Sequence, residues 1–271
     1  MRMVTKRLMR AAQLWRVFGV KGITWALRNK VPFLEHRSFV EEILHHLLKR
    51  QGHVFIIQVG AHVGDTSNDP ICRFIQKHSS PGQSGRTACN CVLVEPVRHL
   101  FEQLVANYKH YEGVVCDNVA IADENAIRDF YRLDDGVDLR ASGMPEWLDQ
   151  LGSLLPERMG QLWDQCEKDE TYRQFVAEHA VVDKVQCITF DQLLDRHGIT
   201  KVDFLQVDAE GYDYEIIRSI NFERVKPLAI NYERVHLQDK EAPCRRLLLK
   251  HDYLLYDHWQ DTLCLQRSLR G

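Results

Sequence analysis

The sequence of 271 residues lacks several features that would assign it to a common class of protein. No apolar run approaches the roughly 20 residues that a membrane-spanning helix needs. Its eight cysteines form no Cys-x-x-Cys pair and no zinc-ligand spacing. There is also no Gly-x-Gly-x-x-Gly, so the fingerprint of nicotinamide and flavin sites is absent. Several cysteines lie in apolar strand patterns, where a free thiol behaves as a small hydrophobe, and we therefore predict a cytoplasmic protein with reduced thiols.

Acidic residues are missing from the first 34 positions, which hold eight basic ones. The rest of the chain then carries 27 basic and 38 acidic residues, although the net charge of the whole chain is only −3. An acidic body argues against general binding to the phosphates of a nucleic acid. A small-molecule or glycan partner fits this charge better, and we predict no nucleic-acid partner.

The basic segment, residues 1–30, has apolar residues near helical spacing from Val4 to Phe18. Three roles are open for it: an amphipathic helix on an anionic membrane surface, a cleaved transit peptide, or a helix that docks on the acidic body. A second helix is predicted from Ser38 to Lys49. Together they give an amino-terminal part, residues 1–50, ahead of a main domain over residues 51–271.

From Val54 the pattern alternates between strand and helix, as a parallel sheet with crossover helices requires. Residues 142–182 do not fit this alternation and are predicted to be a helical insertion, forming either a lid or a plain elaboration. Residues 78–90 are predicted to be a surface loop. The predicted strands are 54–59, 91–95, 114–120, 203–208, 228–233, 253–257 and 262–266, the last two joined as a hairpin.

Three of these strands end in glycine or carboxylate. Gly60 to Gly64 follows the first, Glu95 ends the second, and Asp208 and Glu210 follow the fourth. Ligands bind at the carboxyl ends of the strands in open α/β sheets. A small-residue turn admits a ligand to the backbone, and a carboxylate at Glu95 can accept hydrogen bonds from a ribose diol. Glu95 could equally cap the following helix, but the three ends together indicate a nucleotide-type cofactor.

A Glu-x-x-His pair, Glu233 and His236, follows the fifth strand and reaches the same edge. A histidine there can take a proton near neutral pH, although a lone histidine is more often structural. Asp208 and Glu210 can serve as acid–base groups or as oxygen ligands of a metal. A divalent metal held by Asp208, Glu210 and Glu233 is an alternative, but the sequence assigns no metal ligands.

Taken in order, the motifs resemble the FkbM-type methyltransferases that depend on S-adenosylmethionine, a branch of the class I methyltransferase fold. The likeness covers roughly residues 54–266 apart from the insertion. The segments that carry it are Val-Gly-Ala-His-Val-Gly (59–64), Val-Glu-Pro (94–96) with Asn107, Asn-Val-Ala-Ile-Ala-Asp (118–123), Ile-Thr-Phe-Asp-Gln-Leu-Leu (188–194), Val-Asp-Phe-Leu-Gln-Val-Asp-Ala-Glu-Gly-Tyr (202–212) and Tyr-Glu-Arg-Val-His-Leu (232–237).

The resemblance implies a Rossmann-like α/β fold with a mostly parallel seven-stranded sheet whose last strand is antiparallel. It also implies methyl transfer to a hydroxyl, commonly on a saccharide, glycolipid or polyketide-like product. The glycine turn would hold the methionine part of the cofactor, Glu95 its ribose, and Asp117 or Asn118 its adenine, with Asp208 near the methyl group. The full set of cofactor-binding residues expected in this way is Gln58, Gly60, Ala61, His62, Gly64, Glu95, Pro96, Asp117, Asn118 and Asp208.

Two positions depart from the family's pattern. Gln58 stands where an acid is usual, so it brings no negative charge to the cofactor's ammonium, and His62 replaces an asparagine. For catalysis we expect His236, or Asp208 acting with it, to accept the hydroxyl's proton, and Glu233 to orient His236 or bind the substrate. Specificity for the acceptor is expected in residues 134–182 and the amino-terminal helices.

Two other functions are left open by the residues. The first is a nucleoside-binding assembly protein without catalysis, associated with a membrane through its basic segment. The converging carboxylates argue against it, because a scaffold does not need them. The second is a glycosyltransferase that uses a nucleotide sugar, but one glycine turn among acidic strand ends would neutralise a diphosphate poorly.

Overall fold

A computed structural model of the protein describes residues 39–66, 69, 71–79, 87–160 and 170–269. The basic segment 1–30, residues 161–169 of the predicted insertion and most of the predicted loop 78–90 lie outside these residues. The helices are α1 (Phe39–Gln51), α2 (Cys72–His78), α3 (Arg98–Tyr108), α4 (Glu170–His179), α5 (Phe190–Arg196), α6 (Asp213–Ser219) and α7 (Glu241–Lys250). The strands are β1 (Val54–Val59), β2 (Cys89–Val94), β3 (Val114–Asp117), β4 (Ala120–Ala122), β5 (Ala126–Leu133), β6 (Gly152–Ser153), β7 (Ala180–Thr189), β8 (Phe204–Val207), β9 (Ala229–Glu233), β10 (Tyr253–His258) and β11 (Asp261–Gln266).

Seven strands form the main sheet, in the order β10-β11-β9-β8-β1-β2-β3. The pairs from β9 through β8, β1 and β2 to β3 are parallel. The last strand, β11, lies between β9 and β10 and is antiparallel to both. This confirms the predicted Rossmann-like α/β fold and its antiparallel last strand, as well as the hairpin of β10 and β11.

Helices cover both faces of this sheet, which is why its strands are apolar on both sides. Successive side chains of a strand point to opposite faces. Val54 and Ile56 of β1 therefore join one buried cluster, while Ile57 and Val59 join the other. The first cluster includes residues of α1, α2 and α3, and the second includes residues of α5, α6 and α7.

A second sheet, in the order β4-β7-β5-β6, was not predicted from the sequence. The predicted strand 114–120 in fact divides: β3 stays in the main sheet, and β4 pairs with β7 in the second. Phe130 and Val185 of the second sheet belong to the same apolar cluster as Val59 of β1. The second sheet is thereby fixed beside the ends of the main strands.

The region predicted as a helical insertion has mixed structure. It contains 3-10 turns at Glu146–Gln150 and Pro156–Gly160, the short strand β6 between them, and helix α4. Leu148, Met159 and Val176 form a small apolar core with Leu133 of β5. The insertion therefore packs on the second sheet and reaches the functional edge from that side.

Candidate active site

Gly60 brings the ends of β1 and β8 into contact. Its φ is +80°, and a Cβ atom at this position would lie 1.8 Å from the carbonyl oxygen of Asp208. The amide of Asp208 also donates a hydrogen bond to the carbonyl oxygen of Val59 at 3.0 Å. Only glycine fits this approach, because any side chain would displace the turn that carries Asp208.

Glu95 is buried, only 5% exposed, at the end of β2. Its two carboxyl oxygens accept hydrogen bonds from the backbone amides of His62 (2.8 Å) and Val97 (2.9 Å). The side-chain amide of Asn118 donates to the carbonyl oxygens of Glu95 and Pro96 at 2.8 and 3.0 Å. Burial raises the pKa of Glu95 to about 7, against the two amide donors that lower it. The carboxyl group is thus held in one orientation and titrates near neutrality.

Gln58 and Asp69 form a polar pair on the other side of the glycine turn. The Gln58 amide donates to a carboxyl oxygen of Asp69 at 3.2 Å. The other Asp69 oxygen accepts from the amides of Ile71 and Cys72, at the start of α2. Gln58 is 4% exposed, and its Oε1 accepts no hydrogen bond from the described residues. The negative charge that Gln58 lacks is therefore present beside it, on Asp69.

His62 follows the glycine turn with a φ of +50°. Burial and the neighbouring His99 lower its pKa from the ordinary value. The imidazole is consequently neutral at physiological pH and adds no positive charge to the site.

A tight turn after β8 carries Asp208 and Glu210 and is closed by Asp213. One Asp213 oxygen accepts from the amides of Ala209 (3.4 Å) and Gly211 (3.2 Å), and the other accepts from the amide of Glu233 at 3.2 Å. Asp213 is fully buried, which raises its pKa to about 7. This side chain joins the β8 turn to the end of β9.

Asp208 stays accessible to solvent from a cavity at this edge. Its removal from bulk water and the nearby carboxylates of Glu210 and Asp213 raise its pKa well above the usual range. Repulsion between these carboxylates favours the protonated form of Asp208. Asp208 is therefore a carboxylate with increased proton affinity that a bound molecule can reach.

Behind Glu210 lies a buried cluster of Arg158, Glu233 and His236. The Arg158 guanidinium donates to Glu210 Oε2 at 2.8 Å. His236 Nε2 lies 3.6 Å from the same oxygen and 3.5 Å from Glu233 Oε2. Burial and Arg158 lower the pKa of His236 to about 3, whereas burial and the carboxylates of Asp208 and Glu210 raise that of Glu233 well above its usual range. The imidazole is neutral in this environment.

A cavity of about 680 Å³ lies at this edge of the main sheet. It is lined by the β1 turn, the end of β2 and the β8 turn, and on its other side by residues 130–140 and 146–154 of the second sheet and the insertion. Its volume is within the range of about 300–1,000 Å³ typical of small-molecule sites. The predicted site residues that line it are Gln58, Gly60, Ala61, His62, Glu95, Pro96 and Asp208.

The other predicted residues lie outside the cavity lining. Gly64 packs against Tyr108, and Asn118 fixes the backbone of Glu95 and Pro96. Asp117, expected near an adenine, instead pairs with Arg196 and His197 at 2.9 Å. Glu233 and His236 approach the cavity only through Glu210, and their catalytic roles stay predictions.

Sequence reasoning missed three residues of this edge: Asp69, Arg158 and Asp213. Asp213 directly follows the motif that contains the predicted carboxylates, so its place before a helix was a usable signal. Asp69 lies eleven positions from Gln58, and Arg158 lies 52 positions from its partner Glu210. The sequence carries no local signal for either contact.

The model of one protein family matches most of the chain. The model of the methyltransferase FkbM domain matches residues 58–258. No curated protein matches the chain significantly. No helix within the described ranges is long and apolar enough to cross a membrane.

Three of the solved structures that match the chain are the following. A methyltransferase FkbM from Methylobacillus flagellatus KT is 12% identical, with a TM-score of 0.43 over 97% of this chain and 60% of that one. The fibrillarin pre-rRNA processing protein of Methanococcus jannaschii is 8% identical, with a TM-score of 0.38 over 79% and 66%. A precorrin-6y C5,15-methyltransferase from Geobacter metallireducens is 10% identical, with a TM-score of 0.36 over 88% and 93%. The chain spans less than two thirds of the length of the first two.

Proposed function

Since the chain belongs to the FkbM methyltransferase family, we propose that it transfers a methyl group from S-adenosylmethionine to a hydroxyl oxygen of a saccharide, glycolipid or secondary-metabolite-like acceptor. The observation that carries this proposal is the convergence of Gln58, Glu95 and Asp208 on a single cavity. Each stands at the carboxyl end of a different strand of the main sheet, where α/β folds bind nucleotides.

The side chains present fit this cofactor. Glu95 holds two fixed carboxyl oxygens, which retain lone pairs for the two hydroxyls of a ribose. Gln58 Oε1 is a buried acceptor with no donor among the described residues, and it can take a hydrogen bond from the ammonium of the methionine part. Asp69 adds the negative charge for that ammonium. When bound, S-adenosylmethionine supplies a methyl group on a positively charged sulfur.

Asp208 is the group we propose as the proton acceptor. It lines the cavity, and its raised pKa gives it a higher proton affinity than an ordinary carboxylate. In this transfer Asp208 would take the acceptor's O–H proton. The cofactor held by Gln58, Asp69 and Glu95 would supply the methyl group to the hydroxyl oxygen and would leave as a neutral thioether. His236, the alternative base, has a pKa of about 3 and does not line the cavity, so it is the weaker candidate.

Residues 130–154 form the opposite wall of the cavity and are proposed to bind the acceptor. Their polar groups include Arg132, Asp138, Arg140 and Asp149. Carboxylates and guanidinium groups on one wall suit a polyhydroxylated acceptor, whose hydroxyls both donate and accept hydrogen bonds.

Calorimetric titration with S-adenosylmethionine, S-adenosylhomocysteine and a nucleotide sugar tests the cofactor. We expect the first two to bind and Asp208→Asn to retain that binding while it abolishes transfer of labelled methyl to a panel of hydroxylated saccharides. Binding of the nucleotide sugar alone would support a glycosyltransferase, and binding of S-adenosylmethionine without methyl transfer by the wild type would support the nucleoside-binding assembly protein. Either result would refute the proposal.

A further inference from the structure

Glu210, Glu233 and His236 place three ligand atoms around one point. We propose that these residues form a binding site for a divalent first-row transition-metal ion. His236 Nε2 lies 3.6 Å from Glu210 Oε2 and 3.5 Å from Glu233 Oε2, and the ligand atoms of all three residues lie within 4.8 Å of one another. Metal–nitrogen and metal–oxygen bonds of about 2.1 Å in tetrahedral geometry separate the ligand atoms by about 3.4 Å. The separations of 3.6 and 3.5 Å from His236 Nε2 therefore match a tetrahedral site with little rearrangement.

A buried oxygen of Glu233 is available as a metal ligand. Glu233 is 6% exposed, and its Oε2 accepts no hydrogen bond from any described residue. Buried carboxyl groups are usually hydrogen-bonded, paired with a charge or bound to a metal. Further carboxylates at Asp208, Asp213 and Asp261 also act on Glu233 electrostatically, and a divalent cation would lower this repulsion.

His236 is suited to be a ligand because its Nε2 faces the carboxyl oxygens of both Glu210 and Glu233. Imidazole nitrogen is a common ligand of first-row transition metals. The mixture of one nitrogen and two carboxylates favours Zn²⁺, Mn²⁺, Fe²⁺ or Co²⁺ over Mg²⁺ and Ca²⁺, which prefer oxygen ligands alone.

Two hydrogen bonds fix the backbone at the ligands Glu233 and Glu210. Asp213 accepts a hydrogen bond from the Glu233 amide, so the end of β9 is fixed to the β8 turn. Ser153 donates to the carbonyl oxygen of Glu210, whose φ is +49°. A left-handed conformation at a non-glycine residue persists only where its surroundings impose it. The position of Glu210 is thus determined by contacts rather than by local preference.

Arg158 is the resident cation against which this proposal must be weighed. It donates to Glu210 Oε2 at 2.8 Å and is 3% exposed. Its guanidinium carries one positive charge beside the two carboxyl groups of Glu210 and Glu233. A carboxylate has about four lone-pair sites, and Glu210 can therefore bond to Arg158 and to a metal together.

Because Glu210 lines the cavity, a metal on this carboxylate lies near the proposed acceptor site. A role for the ion in polarising the acceptor hydroxyl rests on the proposed function. The binding of the ion itself does not rest on the proposed function, since it needs neither cofactor nor acceptor.

Metal titration of the untagged full-length protein, stripped with a chelator, tests the site directly. We expect one equivalent of Zn²⁺ by mass spectrometry after dialysis, and visible absorption when Co²⁺ is added. His236→Ala and Glu233→Gln should each weaken binding at least about 100-fold, since loss of even an outer hydrogen-bond partner costs 10–100-fold. The exposed residues His110 and Glu223 provide matched controls, and His110→Ala and Glu223→Gln should bind as the wild type does.

Arg158→Gln adds a test with the opposite sign. Removal of the positive charge should strengthen metal binding, whereas loss of general packing would weaken it. Circular dichroism and thermal unfolding establish whether each variant folds. If Glu233→Gln does not fold, Arg158→Gln still tests the metal site. Failure of the wild type to retain one equivalent, or wild-type affinity in His236→Ala, would overturn the proposal, whether or not the protein binds S-adenosylhomocysteine.

Discussion

Glu95→Gln provides a quantitative test of the cofactor site. The two oxygens of Glu95 accept hydrogen bonds from the amides of His62 and Val97. Glutamine has the same shape, but one of its two terminal atoms is a donor. It therefore keeps one acceptor, loses the charge, and turns an N–H group toward either a backbone amide or the cofactor.

The expected loss of affinity follows from the bond that is removed. A hydrogen bond to a charged group contributes about 1.5–3 kcal/mol. Since about 1.4 kcal/mol is a tenfold change in affinity, the dissociation constant of S-adenosylhomocysteine should rise about 10- to 150-fold. Glu223→Gln, on an exposed residue, is the matched control and should have no effect.

A pH dependence should disappear with the same substitution. Burial raises the pKa of Glu95 to about 7 in the free protein. A ribose diol donates to the ionised carboxylate, so binding at lower pH must release the proton. Between pH 8 and pH 6 the affinity of the wild type should fall about tenfold through this group, and Glu95→Gln should lack this part of the fall.

Titration calorimetry in buffers of different ionisation enthalpy measures both the affinity and the number of protons released on binding. At pH 6 the wild type should release close to one more proton on binding than Glu95→Gln does. Equal proton release in the two proteins would refute the reasoning about Glu95, even if the affinity of the variant were lower.

The remaining predictions concern the same edge of the sheet. Asp69→Asn should weaken cofactor binding measured by calorimetry about tenfold or more by removing the charge beside Gln58, whereas Asp65→Asn, on an exposed residue, should not; equal effects would contradict a specific role for Asp69. Gly60→Ala should destabilise the protein in urea unfolding more than Gly52→Ala, because both glycines have φ near +80° but only Gly60 would bring a Cβ into the backbone of Asp208; the control should cost about 1–2 kcal/mol, and equal costs would exclude the clash. Because the pKa of Glu95 is raised from 4.5 to about 7, the folded state holds a proton that the unfolded state releases between these values. The stability of the wild type relative to Glu95→Gln should therefore fall by about 3 kcal/mol as pH rises from 4.5 to 7 and stay constant above, and a pH-independent difference would contradict the raised pKa.

The main sheet was predictable because its strands are apolar runs, several of which end at a glycine or a carboxylate residue. β1 coincides with its predicted bounds, β8 is one residue shorter than predicted at each end, and β9 begins one residue later than predicted. The apolar pattern of a buried parallel strand depends little on which strands pair with it, so the sequence alone indicates the strand.

The second sheet was not predictable because its charged residues form ion pairs with charged residues of the neighbouring strand. Arg132 of β5 pairs with Asp183 of β7 at 2.6 Å, and Lys184 pairs with Asp129. These charges interrupt the apolar pattern and resemble a solvated segment when the partner strand, some 50 residues away, is unknown. The pairing itself allows them to lie on a sheet.

Asp69 shows why residue-by-residue comparison with a family underestimates a site. At position 58 the chain has glutamine where the family usually has an acid, and the sequence therefore predicts weaker cofactor binding. The structure places the Asp69 carboxylate 3.2 Å from the Gln58 amide, in the lining of the same cavity. A charge acts through distance and dielectric environment and not through its position in the chain. The glutamine also gains a role that an acid could not fill, since its amide donates to Asp69 while its oxygen remains an acceptor. The pair therefore offers the ammonium group both a hydrogen-bond acceptor and a negative charge, and a double substitution of Gln58 and Asp69 should be non-additive in cofactor affinity because the two side chains act together.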